Sequence, residues 1–121
     1  MAKAIIIDGG ILLRGVLKFI LETGGHSVLG MAEKREDALK LYEKFHADIV
    51  FCDLASKEFD GLDLIREILG RDPRARIIAM AAAGNDGRIE EALNAGAAAS
   101  VDKPFGVVNV AQAIEDALKK R

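Results

Sequence analysis

Tryptophan is absent from this 121-residue chain, and its aromatic residues are limited to five Phe and one Tyr. So few flat faces leave no platform for stacking bases, which argues against single-stranded nucleic acid as a ligand. An excess of positive charge is missing as well. Seventeen Lys and Arg are outnumbered by nineteen Asp and Glu, for a net charge of −2. The basic residues are also scattered rather than gathered into a stripe, so the electrostatic footprint of nucleic-acid binding is lacking. A single cysteine, Cys52, excludes an internal disulfide and fits a reducing compartment. It stands in the apolar run Asp48-Ile-Val-Phe-Cys and is read as a buried structural thiol. No stretch approaches the roughly 18 apolar residues of a membrane helix. The N-terminal apolar run stops at Asp8, too short for a secretory signal. A cytoplasmic protein without a membrane partner is the expectation.

What the chain does have is hydrophobic residues in alternating short and long patterns. Half of its residues are hydrophobic, enough for a core, and the length fits one domain over 1–121. Short runs rich in Ile and Val read as strands: Ala4 to Ile7, Ser27 to Leu29, Asp48 to Cys52, Arg76 to Met80 and a thin one from Ala97 to Val101. Between and after them lie stripes at helical spacing, such as Leu13, Val16, Leu17, Ile20 and Leu21, then Ala38, Leu41, Tyr42 and Phe45. Further stripes are Leu62, Ile65, Ile68 and Leu69, then Ile89, Ala92 and Leu93, and finally Val107, Ala111, Ile114 and Leu118. The charged run from Glu33 to Asp37 reads as an exposed first turn of a helix. Five strand–helix units predict an α/β fold, a doubly wound five-stranded parallel sheet covered on both faces. In such sheets chemistry sits at the carboxyl ends of the strands. That rule singles out Asp8, Asp53, Ala81 and Lys103.

Asp8 and Asp53 each follow an apolar strand directly, and Lys103 follows the last one. If the first and third strands are neighbours, two carboxylates and an ammonium converge. Such a pocket can hold a divalent cation and present one oxygen as a nucleophile. Taken singly, each Asp is as well explained by strand termination or helix capping. Together, and with Lys103-Pro104 behind the fifth strand, they favour a site.

At this point the chain resembles the response-regulator receiver domains, in Ile5-Ile-Ile-Asp8, Asp48-Ile-Val-Phe-Cys-Asp53, Asp60-Gly61, Asn94-Ala-Gly96-Ala97 and Lys103-Pro-Phe105. The resemblance implies a flavodoxin-like (βα)5 receiver in two-component phosphorelay signalling, not an enzyme. It implies a phosphoryl group accepted on Asp53, charge stabilisation by Lys103, and a cis Lys103–Pro104 bond. It also implies Mg²⁺ held by Asp8, Asp53 and the backbone carbonyl of Ala55. The implied partners are a histidine kinase and a downstream protein target. A homodimer through the last two helices and the fifth strand is also implied.

The chain departs from the family pattern at several positions. Gly9 stands where the family has a second acid, which weakens the expected Mg²⁺ binding. Ala81 replaces the switch hydroxyl, and Ser100 the mobile aromatic. Ser56-Lys57 stands where a proline is usual. Two acids and one lysine leave the pocket at −1, and opposite charges 4 Å apart attract by about 4 kcal/mol at an effective dielectric of 20. A direct Asp53–Lys103 pair in the free protein is therefore expected. Two readings follow: a phosphorylated receiver with impaired switching, or a pseudo-receiver that binds a protein without phosphate. An aspartate-nucleophile phosphatase is disfavoured, because Gly10 stands where it needs a second acid. No phosphate-cradling glycine motif follows a strand. His26 and His46 are expected at surface or capping positions rather than as metal ligands.

Overall fold

Ile and Val dominate the first, third and fourth apolar runs, and β-branched side chains favour extended backbone. A computed structural model describes residues 1–119; residues 120 and 121 of the expected domain lie outside it. The strands are β1 (Lys3–Ile7), β2 (Ser27–Ala32), β3 (Ile49–Asp53), β4 (Ile77–Ala82) and β5 (Ala99–Lys103). Alternating with them are α1 (Ile11–Thr23), α2 (Arg35–Phe45), α3 (Gly61–Arg71), α4 (Asp86–Ala95) and α5 (Val107–Leu118). All neighbouring strands are parallel, in the order β2-β1-β3-β4-β5.

Side chains alternate across each strand, so the two faces bury different sets. Ile5, Ile7, Val50, Cys52, Ile77 and Ala79 face α2, α3 and α4 through residues such as Tyr42, Leu62, Ile65, Ile68 and Ala92. Ile6, Ile49, Phe51, Ile78 and Met80 face α1 and α5 through Leu17, Leu21, Val110 and Ile114. Phe51 is fully buried, and its truncation to Ala would cost about 3–5 kcal/mol. The burial of Cys52 agrees with its reading as a structural thiol. Burial and the nearby Asp53 and Asp8 carboxylates push that thiol well above its usual range, so it stays protonated.

Strand boundaries shift by one to three residues from expectation: β3 runs on to Asp53, β4 to Ala82 and β5 to Lys103. The second strand continues past Leu29 to Ala32, because pairing with Ile5, Ile6 and Ile7 carries Gly30, Met31 and Ala32 into the sheet. The fifth begins at Ala99 rather than Ala97, whose N–H still bonds the Ala92 carbonyl at the exit of α4. Asp60 caps α3, accepting from the N–H groups of Leu62 and Asp63 at 3.0 and 3.2 Å. The run from Glu33 to Asp37 enters the exposed first turn of α2 as expected, and Arg35 in it bridges α2 to α3 through Asp63 and Glu67. His26 accepts from the Ala2 N–H, and His46 closes α2 in a left-handed conformation. Among the described residues no helix is long and apolar enough to cross a membrane.

Candidate functional site

The strand order turns outward in opposite directions from the β1–β3 boundary, and a crevice opens there at the strands' carboxyl ends. Register fixes what meets in it. Ile7 pairs with Cys52, so the next residues, Asp8 and Asp53, emerge side by side. Both are buried, 2% and 4% exposed. Lys103, the last residue of β5, pairs with Ala82 and not with either aspartate. Its side chain spans the end of β4 to reach them. The ammonium lies 2.8 Å from Asp8 Oδ2 and 3.0 Å from Asp53 Oδ1. The expected Asp53–Lys103 pair is therefore present, and Asp8 shares it. Burial by itself would lower the Lys103 pKa. Its contacts with both carboxylates outweigh that effect and hold it above the ordinary lysine value.

Each aspartate is also oriented by backbone. Asp8 Oδ1 accepts from the Gly10 N–H at 2.8 Å, and Asp53 Oδ1 from the Ala55 N–H at 3.0 Å. Asp53 Oδ1 thus carries two partners, whereas Asp53 Oδ2 has none among the described residues. Asp8 Oδ2 is buried and accepts no hydrogen bond, although the ammonium lies beside it. The Lys103 ammonium is thus the group that offsets the charge of this oxygen. Two carboxylates side by side fit a hard, oxygen-seeking cation such as Mg²⁺. Among the described residues no three His, Cys, Asp or Glu side chains already stand in ligating positions. The Lys103–Pro104 bond is cis.

Four residues around the site were not assigned to it by the sequence pattern. Arg14, on α1, donates to the Asp8 carbonyl at 2.6 Å. Arg88, on α4, donates to the Leu54 carbonyl at 3.3 Å, with Asp60 Oδ1 3.8 Å away. Ser56 and Glu58 lie over Gly9, where a Cβ would meet Ser56 Oγ at 2.8 Å and Glu58 Cγ at 3.8 Å. Helical periodicity marks apolar positions and is blind to arginines whose partners are backbone carbonyls. Ala81 is buried in β4 beside Asp102, so no hydroxyl faces the crevice from that position. Ser100 lies on a groove of about 490 Å³ that also touches Leu93 and Asp116.

The model of the family described as the response regulator receiver domain matches residues 4–115. The chain is 34% identical over 119 residues to the chemotaxis protein CheY of Listeria monocytogenes, covering 98% of this chain and all of that protein. It is 34% identical over 117 residues to CheY of Thermotoga maritima, covering 97% and 98%. Its fold superimposes on the crystal structure of the receiver domain of NtrX from Brucella abortus with a TM-score of 0.89 at 26% identity, covering 98% of this chain and 99% of that one. A matched family model over nearly the whole chain, on a parallel sheet with its acidic crevice at the switch point, identifies this protein as a CheY-like member of the response-regulator receiver domains of two-component systems.

Proposed function

We propose that Asp53 is the phosphoacceptor, charged by the phosphohistidine of a histidine kinase, and that Lys103 stabilises the transferred group. The observation that carries this reading is the difference between the two Asp53 oxygens. Oδ1 is held by Lys103 and the Ala55 N–H, while Oδ2 keeps its lone pairs free. Held in place by the first oxygen, the carboxylate presents the second as the nucleophile. A bond forms from Oδ2 to phosphorus as the phosphorus–nitrogen bond of the donor breaks. The electron pair leaves with the imidazole, which takes a proton from solvent. The Lys103 ammonium offsets negative charge on the phosphoryl oxygens. Asp8, Asp53 and the Ala55 carbonyl would hold Mg²⁺, which when bound neutralises phosphoryl charge.

A phosphohistidine arrives on a protein, and the rim of the crevice supports such a partner. Ile11 and Leu12, exposed by 80% and 76%, follow Asp8-Gly9-Gly10 directly, and Phe19 continues the apolar stripe along α1. Exposed apolar stripes of this kind mark contact surfaces. Output is impaired relative to other receivers, because Ala81 has no hydroxyl to draw the β4–α4 loop toward a phosphoryl group. A downstream target or a second copy would dock on α4, β5 and α5, where Ser100 leaves its groove. The unit of function is one receiver domain over 1–121, cytoplasmic, acting as a signalling module.

The test is intact mass after incubation with acetyl phosphate and Mg²⁺. A single phosphoryl adduct on the parent protein and none on Asp53→Asn is the expected result. No adduct with excess Mg²⁺ overturns the reading in favour of phosphate-independent protein binding.

A further inference from the structure

We infer that Glu58, on the loop after β3, supplies to a divalent cation the carboxylate that the chain lacks at Gly9. This rests on the reading of Asp8 and Asp53 as cation-holding residues and adds a third ligand from this chain's own loop. Two independent observations meet at the same place. The first is the buried Asp8 Oδ2, which has the Lys103 ammonium beside it but no aligned hydrogen bond. The second is the approach of the loop to Gly9. A Cβ built there would lie 3.8 Å from Glu58 Cγ and 2.8 Å from Ser56 Oγ.

The lengths of the side chains make the substitution possible. An aspartate at position 9 would carry its carboxylate one carbon–carbon bond beyond its Cβ. Glu58 carries its own one carbon–carbon bond beyond its Cγ, which lies in ordinary van der Waals contact with that Cβ position. The two carboxylates therefore sweep overlapping space. Ser56 Oγ accepts the Glu58 N–H at 3.0 Å and holds the loop folded over Gly9. Glu58 is itself exposed and forms no ion pair among the described residues, so none has to break before it swings inward. Lys103 now joins Asp8 and Asp53, so the three acids do not converge until a cation draws them together. With Glu58 counted, three carboxylates and one ammonium restore the charge of −2 that the loss at Gly9 had reduced. Hard cations are held more tightly as the number of charged oxygen ligands rises.

The experiment is a Mg²⁺ titration followed by amide NMR shifts of residues 8–10 and 53–58, on the parent protein and four variants. The expected result for Glu58→Gln is a dissociation constant raised about tenfold or more. In the double variant Gly9→Asp/Glu58→Gln, the acid at position 9 recovers most of that loss, the Ser56 hydroxyl rotating aside. Glu115→Gln, an equal change of charge on α5, leaves binding as in the parent. Asp53→Asn removes it. Unchanged affinity in Glu58→Gln, with binding lost in Asp53→Asn, overturns the role of Glu58 and leaves the cation site standing. A loss in Glu58→Gln that Glu115→Gln reproduces also overturns it, since net charge alone would then explain the effect. No Mg²⁺ response in the parent overturns both.

Discussion

Lys103 and Asp53 lie on strands that do not touch, yet the ammonium of one is 3.0 Å from the carboxylate of the other across the end of β4. The same nitrogen also holds Asp8. Two buried carboxylates thus depend on one cation. Replacing Lys103 with Met leaves two buried like charges facing each other. Stability is expected to fall by about 3–5 kcal/mol, as when a buried pair loses one member. The double variant Asp8→Asn/Lys103→Met, with one negative charge removed, should recover a substantial part. Urea denaturation at pH 7 measures both, and a loss below about 1 kcal/mol for Lys103→Met would show that solvent already screens the pair.

The raised pKa of Lys103 gives the same pair a signature in alkali. Above the ordinary lysine pKa of about 10.4, the folded protein keeps a proton that the unfolded chain gives up. The stabilisation is complete below that pH and is lost as pH rises through the folded value. Tyr42 contributes to the same limb, because burial and the Asp72 carboxylate push its hydroxyl well above the usual tyrosine range. Stability should therefore fall between about pH 10 and 12 in the parent. The slope should be shallower in Tyr42→Phe, and shallower again when Lys103→Met is added. An identical slope in all three would assign alkaline unfolding to other groups.

At the acid end the relevant pair is Tyr42 and Asp72. The Tyr42 hydroxyl donates to Asp72 Oδ2 at 2.6 Å, joining α2 to the end of α3. That bond, then the Arg74 N–H and the neighbouring His46, hold the carboxyl below its ordinary value against the opposing effect of burial. A lowered pKa stabilises above the unfolded value of about 3.9, and the gain is lost as pH falls through the folded value. Tyr42→Phe should cost about 1 kcal/mol at pH 6, and the gap should narrow as pH drops through 3.9 toward 2. Chemical denaturation at several pH values tests this. A gap independent of pH would mean the hydroxyl acts through packing alone.

Gly61 explains why Asp60-Gly61 belongs to the pattern by which this chain resembles its family. A Cβ at Gly61 would overlap the Asp53 carbonyl oxygen and stand 2.8 Å from Leu54 Cα. These are backbone atoms of the segment that carries Asp53 and cannot rotate away. Gly61→Ala is expected to cost about 3 kcal/mol, the upper end for overpacking. It should also displace Asp53, so that any surviving folded protein labels slowly with acetyl phosphate. Thermal denaturation and the labelling rate together decide. Normal stability with normal labelling would show that α3 can move aside as a unit.

The fold was legible because its signals are local. Ile-rich runs ending in Asp8 and Asp53 mark strands whose carboxyl ends carry the site, and the stripe of Leu62, Ile65, Ile68 and Leu69 marks α3. The meeting of Asp8, Asp53 and Lys103 could be anticipated, since in a parallel sheet residues just past strand ends fall on one edge. Ser56, Glu58, Arg14 and Arg88 could not. Their roles depend on loop conformation and on side chains bonding to backbone carbonyls, which leave no spacing in the chain. The fifth strand starts two residues later than the apolar run predicts, for a related reason. In an alanine-rich stretch helix and strand look alike, and the Ala97–Ala92 hydrogen bond decides.

Arg88 offers a way to test how α4 is held where Ala81 provides no hydroxyl. Its guanidinium reaches from the first turn of α4 to the Leu54 carbonyl, one residue beyond Asp53, with the Asp60 carboxylate 3.8 Å off. This contact links the loop after Asp53 to α4. Being half-exposed, it should add little to global stability, and Arg88→Met is expected to change unfolding free energy by less than about 1 kcal/mol. Local opening is another matter. Losing a hydrogen bond from a charged donor, worth about 1 kcal/mol here, should speed amide exchange in the first turn of α4 about fivefold while α1 and α5 stay as they were. Hydrogen-exchange NMR distinguishes the two levels. Faster exchange confined to α4 makes Arg88 the brake on that helix, whereas unchanged exchange leaves α4 held by its apolar packing through Ile89, Ala92 and Ala95.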